Sequence, residues 1–258
     1  MLKIRNNRIG GSLFHYAHFI CDCLFPEVVN KVHLQYNEVI REQSISQTLG
    51  NFGKLYTEIM RVKSTEIMAD EYENLNHIRF LSHDTKEKYC ERRYFDEFRN
   101  YIFTRYNINK DIYDPLYPEV ILVKRGERIP LISNEFLAAI NNNISTGKER
   151  REINNIEEIE QYLKKKYGHH FRALYFENIS FVEQVKYFNN AKLIVCAHGA
   201  VMSNMFFCKE GTHIVEVTCG AYYPFFDVIS KLLRLNHVKC KKNNTSNIIC
   251  CLDSISFL

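Results

Sequence analysis

The most constraining feature of this 258-residue chain is a regular alternation of strand and helix patterns that begins after Pro118. Short apolar runs typical of buried strands recur, and a segment with helical periodicity follows each of them. The predicted strands are residues 120–123, 172–176, 193–197 and 214–217, and the predicted helices are 156–167, 180–188, 201–207 and 226–233. This alternation predicts an α/β fold in which helices cover both faces of a parallel sheet.

Pro115 and Pro118 interrupt the chain just before this alternation and indicate a domain boundary. We predict an N-terminal domain over residues 1–115 and a C-terminal domain over residues 116–258. The N-terminal part is charged and rich in tyrosine, and its apolar cluster at 77–81 predicts a strand. With 46% hydrophobic residues, the chain can bury a core in one large or two compact domains.

The charge balance argues against nucleic acid as a partner. The 34 Lys and Arg residues exceed the 30 Asp and Glu residues by only four, and the basic runs are short. No segment approaches the roughly 18 apolar residues of a membrane span, and the N-terminus lacks the apolar core of a signal peptide. We therefore expect a cytoplasmic protein without a membrane span. Nine cysteines without any C-x-x-C spacing predict reduced thiols rather than a zinc site.

Residues 13–29 form a long apolar stretch that we predict to be helical, with Ser12 as its N-cap. On such a helix His15, His18 and Asp22 fall at positions i, i+3 and i+7, so one face presents two imidazoles and a carboxylate. Polar groups on an otherwise apolar helix require either buried partners or a cleft.

The residues that follow the predicted strands are the first place to look for a binding site, because ligands of open parallel sheets bind at the carboxyl ends of the strands. His198-Gly199-Ala200 turns directly from an apolar strand into a helix that contains Ser203 and Asn204. A glycine there lets the backbone approach a ligand, and the N–H groups at the helix start favour an anion such as a pyrophosphate. A tight turn with a buried, hydrogen-bonded histidine is the structural alternative.

Three further charged residues of this region are Arg125, Glu216 and Glu183. Arg125, at the end of a strand, either forms a surface ion pair or binds phosphate through its two-pronged guanidinium. Glu216 lies inside a buried strand and needs a partner, for which a ribose hydroxyl pair is one candidate. Ser180-x-x-Glu183 is a capping-box pattern that would occupy both side chains.

Residues 180–217 resemble the signature block of glycosyltransferase family 61. They contain, in the family's order, Ser-Phe-Val-Glu-Gln, His-Gly-Ala, an Asn in the next helix and the strand motif Gly-x-x-Ile-Val-Glu. Lys124-Arg125 with Asn134-Glu135, and the segment from His18 to Pro26, resemble two further motifs of the family. His15 departs from the family's usual Asn, and Phe25 is inserted before Pro26. The resemblance covers about residues 12–30 and 120–240 and no part of 35–115.

This resemblance implies a GT-B architecture, in which two Rossmann-like domains face a cleft, here with a small N-terminal domain. It also implies inverting transfer of a sugar from a nucleotide sugar, usually a UDP-sugar, to an oligosaccharide or a glycoprotein glycan. No metal or other cofactor is implied, and the chain has no Asp-x-Asp of the kind that holds Mg²⁺ in many metal-dependent transferases. UDP-xylose is the expected donor, with UDP-N-acetylglucosamine as the alternative. The implied donor-binding residues are Arg125, Asn134, His198, Gly199, Ala200, Ser203, Asn204 and Glu216.

Inversion needs a general base for the acceptor hydroxyl, and the resemblance assigns it to the N-terminal domain. We favour His18 oriented by Asp22, because a neutral imidazole is a competent base near pH 7; a His/Asp pair that only satisfies a buried helix is the alternative. Two other classes are a non-catalytic nucleotide- or sugar-binding module and another Rossmann-type enzyme, which the lack of G-x-G-x-x-G disfavours. A cytosolic member with a composition rich in Asn, Lys and Ile suggests a large DNA virus or a microbe as its source.

Overall fold

A computed structural model describes residues 2–4, 15–35, 37–41, 49–66, 90–126, 151–220 and 224–256. These residues belong to two compact units, the first ending at Arg105 and the second beginning at Tyr106. The division lies ahead of Pro115, and the domain bounds 1–115 and 116–258 stay a prediction. Ser12, Asn134 and the predicted strand at 77–81 lie outside the described residues.

The first unit contains a parallel sheet of three strands in the order β1-β2-β3. Helices lie between and after these strands in the chain, so this unit repeats the strand and helix alternation on a smaller scale. The strands are β1 (Leu2–Ile4), β2 (Glu38–Arg41) and β3 (Lys63–Glu66), and the α-helices are α1 (Tyr16–His18), α2 (Phe25–Leu34), α3 (Gly53–Met60) and α4 (Arg92–Arg105).

Aromatic side chains contribute to the core of the first unit. Phe25 of α2 packs edge-on against Phe95 and Phe98 of α4, with ring centroids 5.2 and 5.4 Å apart. All three rings are fully buried. Such pairs contribute about 0.5 to 1.5 kcal/mol each beyond their area burial, so α2 and α4 hold each other in place.

The helix predicted over 13–29 differs from the structure in its start, its end and its geometry. It begins at Tyr16, where His15 is the N-cap in an extended conformation, and it continues to Leu34 beyond Pro26. Residues Phe19–Leu24 between α1 and α2 form a π-helix. His15 therefore lies just before the first helical turn, although its ring still meets the ring of His18 edge-on at 6.3 Å.

The second unit is built on a five-stranded sheet, which confirms the predicted α/β class and the parallel sheet. All neighbouring strands are parallel and their order is β5-β4-β6-β7-β8. The strands are β4 (Val120–Lys124), β5 (Phe171–Tyr175), β6 (Leu193–Ala197), β7 (His213–Val217) and β8 (Asn236–Cys240), and the α-helices are α5 (Ile156–Tyr167), α6 (Phe181–Asn190), α7 (Phe225–Leu233) and α8 (Thr245–Asp253).

The predicted strands and helices of this unit agree with the structure to within one or two residues. One difference is that residues Ala200–Phe207 form a 3₁₀-helix. Gly168 ends α5 with a positive φ of 56°, the conformation that makes glycine the preferred residue there. The last strand and helix, β8 and α8, were not predicted, because β8 is a polar edge strand without an apolar run.

Helices cover both faces of the large sheet, and the polar residue Glu216 lies on one of these faces. Helices α5 and α8 pack on one face against side chains such as Leu122, Val195 and Val215. Strand residues alternate between faces, so Cys196 and Glu216 point to the opposite face. There α6 and α7 both pack on the 3₁₀-helix Ala200–Phe207. None of the helices in the described parts of the chain has the length and apolar character needed to cross a membrane.

Candidate functional site

The carboxyl ends of β4 and β6 meet at the point where the strand order of the large sheet reverses. The chain passes from β4 to β5 on one side, while β6, β7 and β8 follow on the other side. Ligands of open α/β sheets bind in the crevice outside such a switch point. Arg125 directly follows β4 and His198 directly follows β6, so two predicted site residues flank this crevice.

Gly199 lets the guanidinium of Arg125 come close to the backbone at the end of β6. A Cβ atom at position 199 would lie 2.9 Å from Nη2 of Arg125, which real Cβ contacts essentially never show. Gly199 is extended, with φ of 165°, so its small size rather than its backbone conformation lets the guanidinium approach without a shift of the arginine side chain. The predicted close approach at this glycine is made by an arginine of the same chain.

A second arginine, Arg151, joins this cluster, and no motif in the sequence predicted it. Nη1 of Arg125 donates to the backbone carbonyl of Arg151 at 3.3 Å, and Nη1 of Arg151 donates to the carbonyl of His198 at 3.3 Å. Burial raises the pKa of the nearby Cys219 thiol, while the charges of both arginines act to lower it. The crevice therefore carries two positive charges that suit an anion with several oxygens.

The 3₁₀-helix that follows Gly199 contributes backbone N–H groups at its start and buried side chains further on. Ser203 and Asn204 are both fully buried. Asn204 donates from Nδ2 to Oε1 of Gln184 at 2.9 Å, and Gln184 in turn donates to the carbonyls of Phe176 and Ile179. Asn204 therefore links this helix to α6. The hydroxyl of Ser203 has no hydrogen-bond partner among the described residues.

His198 and Glu216 form a buried pair behind the crevice. Nδ1 of His198 is hydrogen-bonded to Oε1 of Glu216, and Nε2 of His237 lies 2.8 Å from Oε2 of the same carboxylate. Burial would raise the pKa of Glu216, but the hydrogen bonds from the two imidazoles outweigh it and lower that pKa to about 2. Both carboxylate oxygens thus have imidazole partners and the side chain is 1% exposed. The direct ribose contact of Glu216 stays a prediction.

Cys196 of β6, and Ser180 and Glu183 at the start of α6, have structural contacts. The Cys196 thiol is buried beneath the crevice, and its burial and the Glu216 charge raise its pKa, so it is not a thiolate nucleophile at neutral pH. Ser180 caps α6 by accepting a hydrogen bond from the backbone N–H of Glu183 at 3.3 Å, as the capping-box pattern predicts. Glu183 differs from that pattern, because its side chain accepts from Tyr117 and Lys186.

In the first unit, the predicted pair of His18 and Asp22 is in contact. Nδ1 of His18 lies 2.7 Å from Oδ2 of Asp22, one turn along the helix. The imidazole is 25% exposed, whereas the carboxylate is 1% exposed. If Nδ1 carries the proton that Asp22 accepts, the lone pair of the neutral ring is on Nε2. This geometry can orient a partly exposed imidazole for proton transfer.

A comparison with family models matches residues 16–215 to the family described as Glycosyltransferase 61. The matched region begins at the first residue of α1 and includes His18, Arg125 and His198. No curated protein matches the chain.

Proposed function

The chain belongs to glycosyltransferase family 61 and is a glycosyltransferase, and on that premise we propose its donor, its mechanism and the residues that carry them. We propose inverting, metal-independent transfer of a sugar from a UDP-sugar to a hydroxyl of a glycan acceptor by a protein of the GT-B type. The observation that carries this proposal is the pair of guanidinium groups, Arg125 and Arg151, beside Gly199 at the switch point of the large sheet.

In this proposal the diphosphate of the donor binds at the switch point. The guanidiniums of Arg125 and Arg151 stabilise the negative charge that develops on the leaving UDP, a role that a divalent metal has in other transferases. The N–H groups at the start of the 3₁₀-helix after Gly199 add donors for the same oxygens. Neither contribution requires a metal, so we propose that UDP binds in the presence of EDTA.

The acceptor hydroxyl is activated by His18 in the first unit. Its oxygen attacks the anomeric carbon of the donor sugar as the bond from that carbon to the UDP oxygen breaks on the opposite side. The hydroxyl proton goes to Nε2 of His18, and Asp22 stabilises the imidazolium that results through its hydrogen bond to Nδ1. The electron pair of the broken bond leaves with UDP, so the product has the inverted anomeric configuration.

The donor sugar is proposed from the two donors that the family resemblance implies. We propose UDP-xylose, and UDP-N-acetylglucosamine is the alternative. One missing methylene changes transition-state binding by only about 1 to 3 kcal/mol unless a buried polar partner is left unpaired. Direct comparison of the two donors is therefore part of the test.

The test is a UDP-release assay of the purified protein against a panel of UDP- and GDP-sugars in EDTA, with thermal-shift binding in parallel. We expect selective release of UDP from UDP-xylose and stabilisation by UDP. Release from UDP-N-acetylglucosamine alone would correct the sugar and keep the mechanism. Stabilisation by UDP without turnover, even with a panel of glycan acceptors, would indicate a binding module. No response to any nucleotide would contradict the proposal.

A further inference from the structure

A chain of five polar side chains connects the crevice to the far edge of the large sheet. It runs from His198 through Glu216, His237 and Asp227 to Lys239. We propose that His237 is a positioning residue: together with Glu216 it fixes the tautomer and the ring orientation of His198 at the donor site. This inference rests on the proposed function, because it assigns His198 to that site.

The contacts at the buried end of this chain leave little freedom to the two imidazoles. Glu216 is 1% exposed and the side chain of His237 is 6% exposed. Oε1 of Glu216 faces Nδ1 of His198, and Oε2 lies 2.8 Å from Nε2 of His237. A carboxylate with these two partners ties the end of β6 to β8 across β7, which lies between them.

The chemistry of an ionised carboxylate sets the protons on both rings. Glu216 can only accept hydrogen bonds when it is ionised, and its lowered pKa of about 2 supports that state at neutral pH. His198 must therefore carry a proton on Nδ1, and His237 must carry one on Nε2. In their neutral forms the two histidines have opposite tautomers, and the lone pair of His198 is on Nε2.

The other end of the chain holds His237 in place. Its Nδ1 lies 3.2 Å from the hydroxyl of Ser230 and 3.5 Å from Oδ1 of Asp227, both on α7. Asp227 also forms an ion pair with Lys239 of β8, where both side chains are partly exposed. In the neutral Nε2–H form, Nδ1 of His237 can accept from the Ser230 hydroxyl but not from the Asp227 carboxylate, so Glu216 and Ser230 contact the two sides of the ring.

The backbone of His198 links this network to the arginine cluster. The His198 N–H donates to the carbonyl of Val217 at 2.8 Å, and its own carbonyl accepts from Arg151. The ring of Phe226 meets the His198 ring edge-on at 5.4 Å and limits its rotation from α7. A change at position 237 would therefore reach the crevice through Glu216 and the His198 ring.

The decisive measurement is NMR of the imidazole nitrogens in the full-length protein at neutral pH. Signals are assigned by their loss in His198→Gln and His237→Gln. We expect the Nδ1–H form for His198 and a proton on Nε2 of His237. In His237→Leu, which removes the donor to Glu216, we expect the His198 signals to shift or broaden. The Nε2–H form for neutral His198, or unchanged His198 signals in His237→Leu, would overturn the inference.

Kinetics distinguish positioning from a purely structural role. With the UDP-sugar that the wild type uses, His237→Leu should lower kcat/KM by about 10-fold or more, the lower end of the range for residues that orient metal-bound imidazoles. His237→Gln keeps an N–H donor near the place of Nε2 and should recover most of that loss. The matched control is His170→Gln, a partly exposed histidine of the same unit, which should match the wild type. Equal losses in both His237 variants would contradict positioning through Glu216.

Failure of the proposed function would look different from failure of this inference. If the wild type shows the expected tautomers but neither binds UDP nor releases it from any donor, the proposed function falls and the imidazole arrangement stands. If UDP binding and turnover are present but His198 has the other tautomer, only the positioning role falls. If His237→Leu does not fold, the wild-type tautomers and the His237→Gln kinetics still decide.

Discussion

The two units hold the two histidines of the proposed site in different surroundings. His198 of the second unit is 1% exposed. Its ring is hydrogen-bonded to Glu216, its N–H donates to the carbonyl of Val217, and its carbonyl accepts from Arg151. His18 of the first unit is 25% exposed, and its hydrogen bond is to Asp22 on the same helix. The buried histidine suits a fixed role beside a bound donor. The partly exposed histidine suits proton transfer, because the proton that it takes up must be exchanged with solvent.

This difference has a structural origin. Much of the surroundings of His198 comes from β6, β7 and β8, strands that are paired along their whole length, and Arg151 and Phe226 of α7 add further contacts. The surroundings of His18 come from one helix and its π-helical continuation Phe19–Leu24. Residues held by several paired strands tolerate few changes without loss of stability, whereas a dyad on one helix can lose function while the fold persists.

The largest expected effect is that of His18→Ala. Loss of the proposed general base should lower kcat by about 10² to 10⁴, and UDP affinity should stay nearly unchanged because the proposed donor site is in the other unit. The matched control is His33→Ala, an exposed histidine near the end of the same helix that pairs with Glu97. Steady-state UDP release with an acceptor measures this effect. Transfer that persists within a few-fold would move the base elsewhere.

Acid should lower the free energy of unfolding of the second unit, because Glu216 becomes protonated. Its folded pKa of about 2 is below the usual 4.5, so its contribution to the free energy of unfolding is fully present above pH 4.5 and is lost as the pH falls towards 2. The contribution is on the order of 3 kcal/mol. We expect Glu216→Gln to be less stable than the wild type at pH 7, with a smaller difference at pH 3. Urea unfolding measures both, and an equal difference at the two pH values would contradict this account.

Arg125→Ala should weaken UDP binding by roughly 10- to 100-fold, because a hydrogen bond to a charged group contributes about 1.5 to 3 kcal/mol. Arg125→Lys keeps the charge but loses the two-pronged geometry, so its affinity for UDP should lie between those of the wild type and Arg125→Ala. Arg234→Ala is the control, since that arginine is 73% exposed and pairs with Glu210. Isothermal titration with UDP measures all three. An unchanged affinity in Arg125→Ala would show that Arg125 does not bind phosphate.

The smallest expected effect is that of Ser180→Ala. Ser180 lies in the family's signature block, but its contact caps α6, so its loss should cost about 1 kcal/mol of stability and leave UDP affinity unchanged. Ser180→Thr keeps a capping hydroxyl and is the control. Thermal unfolding and UDP titration of both variants separate the two roles. Weaker UDP binding with unchanged stability would place Ser180 in the donor site.

Local patterns predicted much of the second unit. The runs at β6 and β7 are apolar enough to identify buried strands, and the sharp change after Ala197 identified His198 and Gly199. The contact between His18 and Asp22 was also predictable, because residues four apart share a helix face. Each of these features depends on residues that are close to one another in the sequence.

Contacts between distant parts of the chain could not be predicted in this way. Arg151 lies in a polar segment, and only folding brings it to the carbonyl of His198. His237 lies on β8, a polar edge strand, and its partnership with Glu216 depends on the register in which Glu216 pairs with Lys239. The capping-box prediction was correct for Ser180 but not for Glu183, because Tyr117, far away in sequence, donates a hydrogen bond to the Glu183 carboxylate. Long-range pairing decides these contacts.

The most direct test of the central claim, that the switch point of the second unit binds the diphosphate of a nucleotide sugar, is isothermal titration of the wild-type protein with UDP and with uridine in EDTA. Two guanidinium contacts to phosphate predict that UDP binds at least about 10-fold more tightly than uridine. Equal affinities for the two ligands, or binding of neither, would contradict the account.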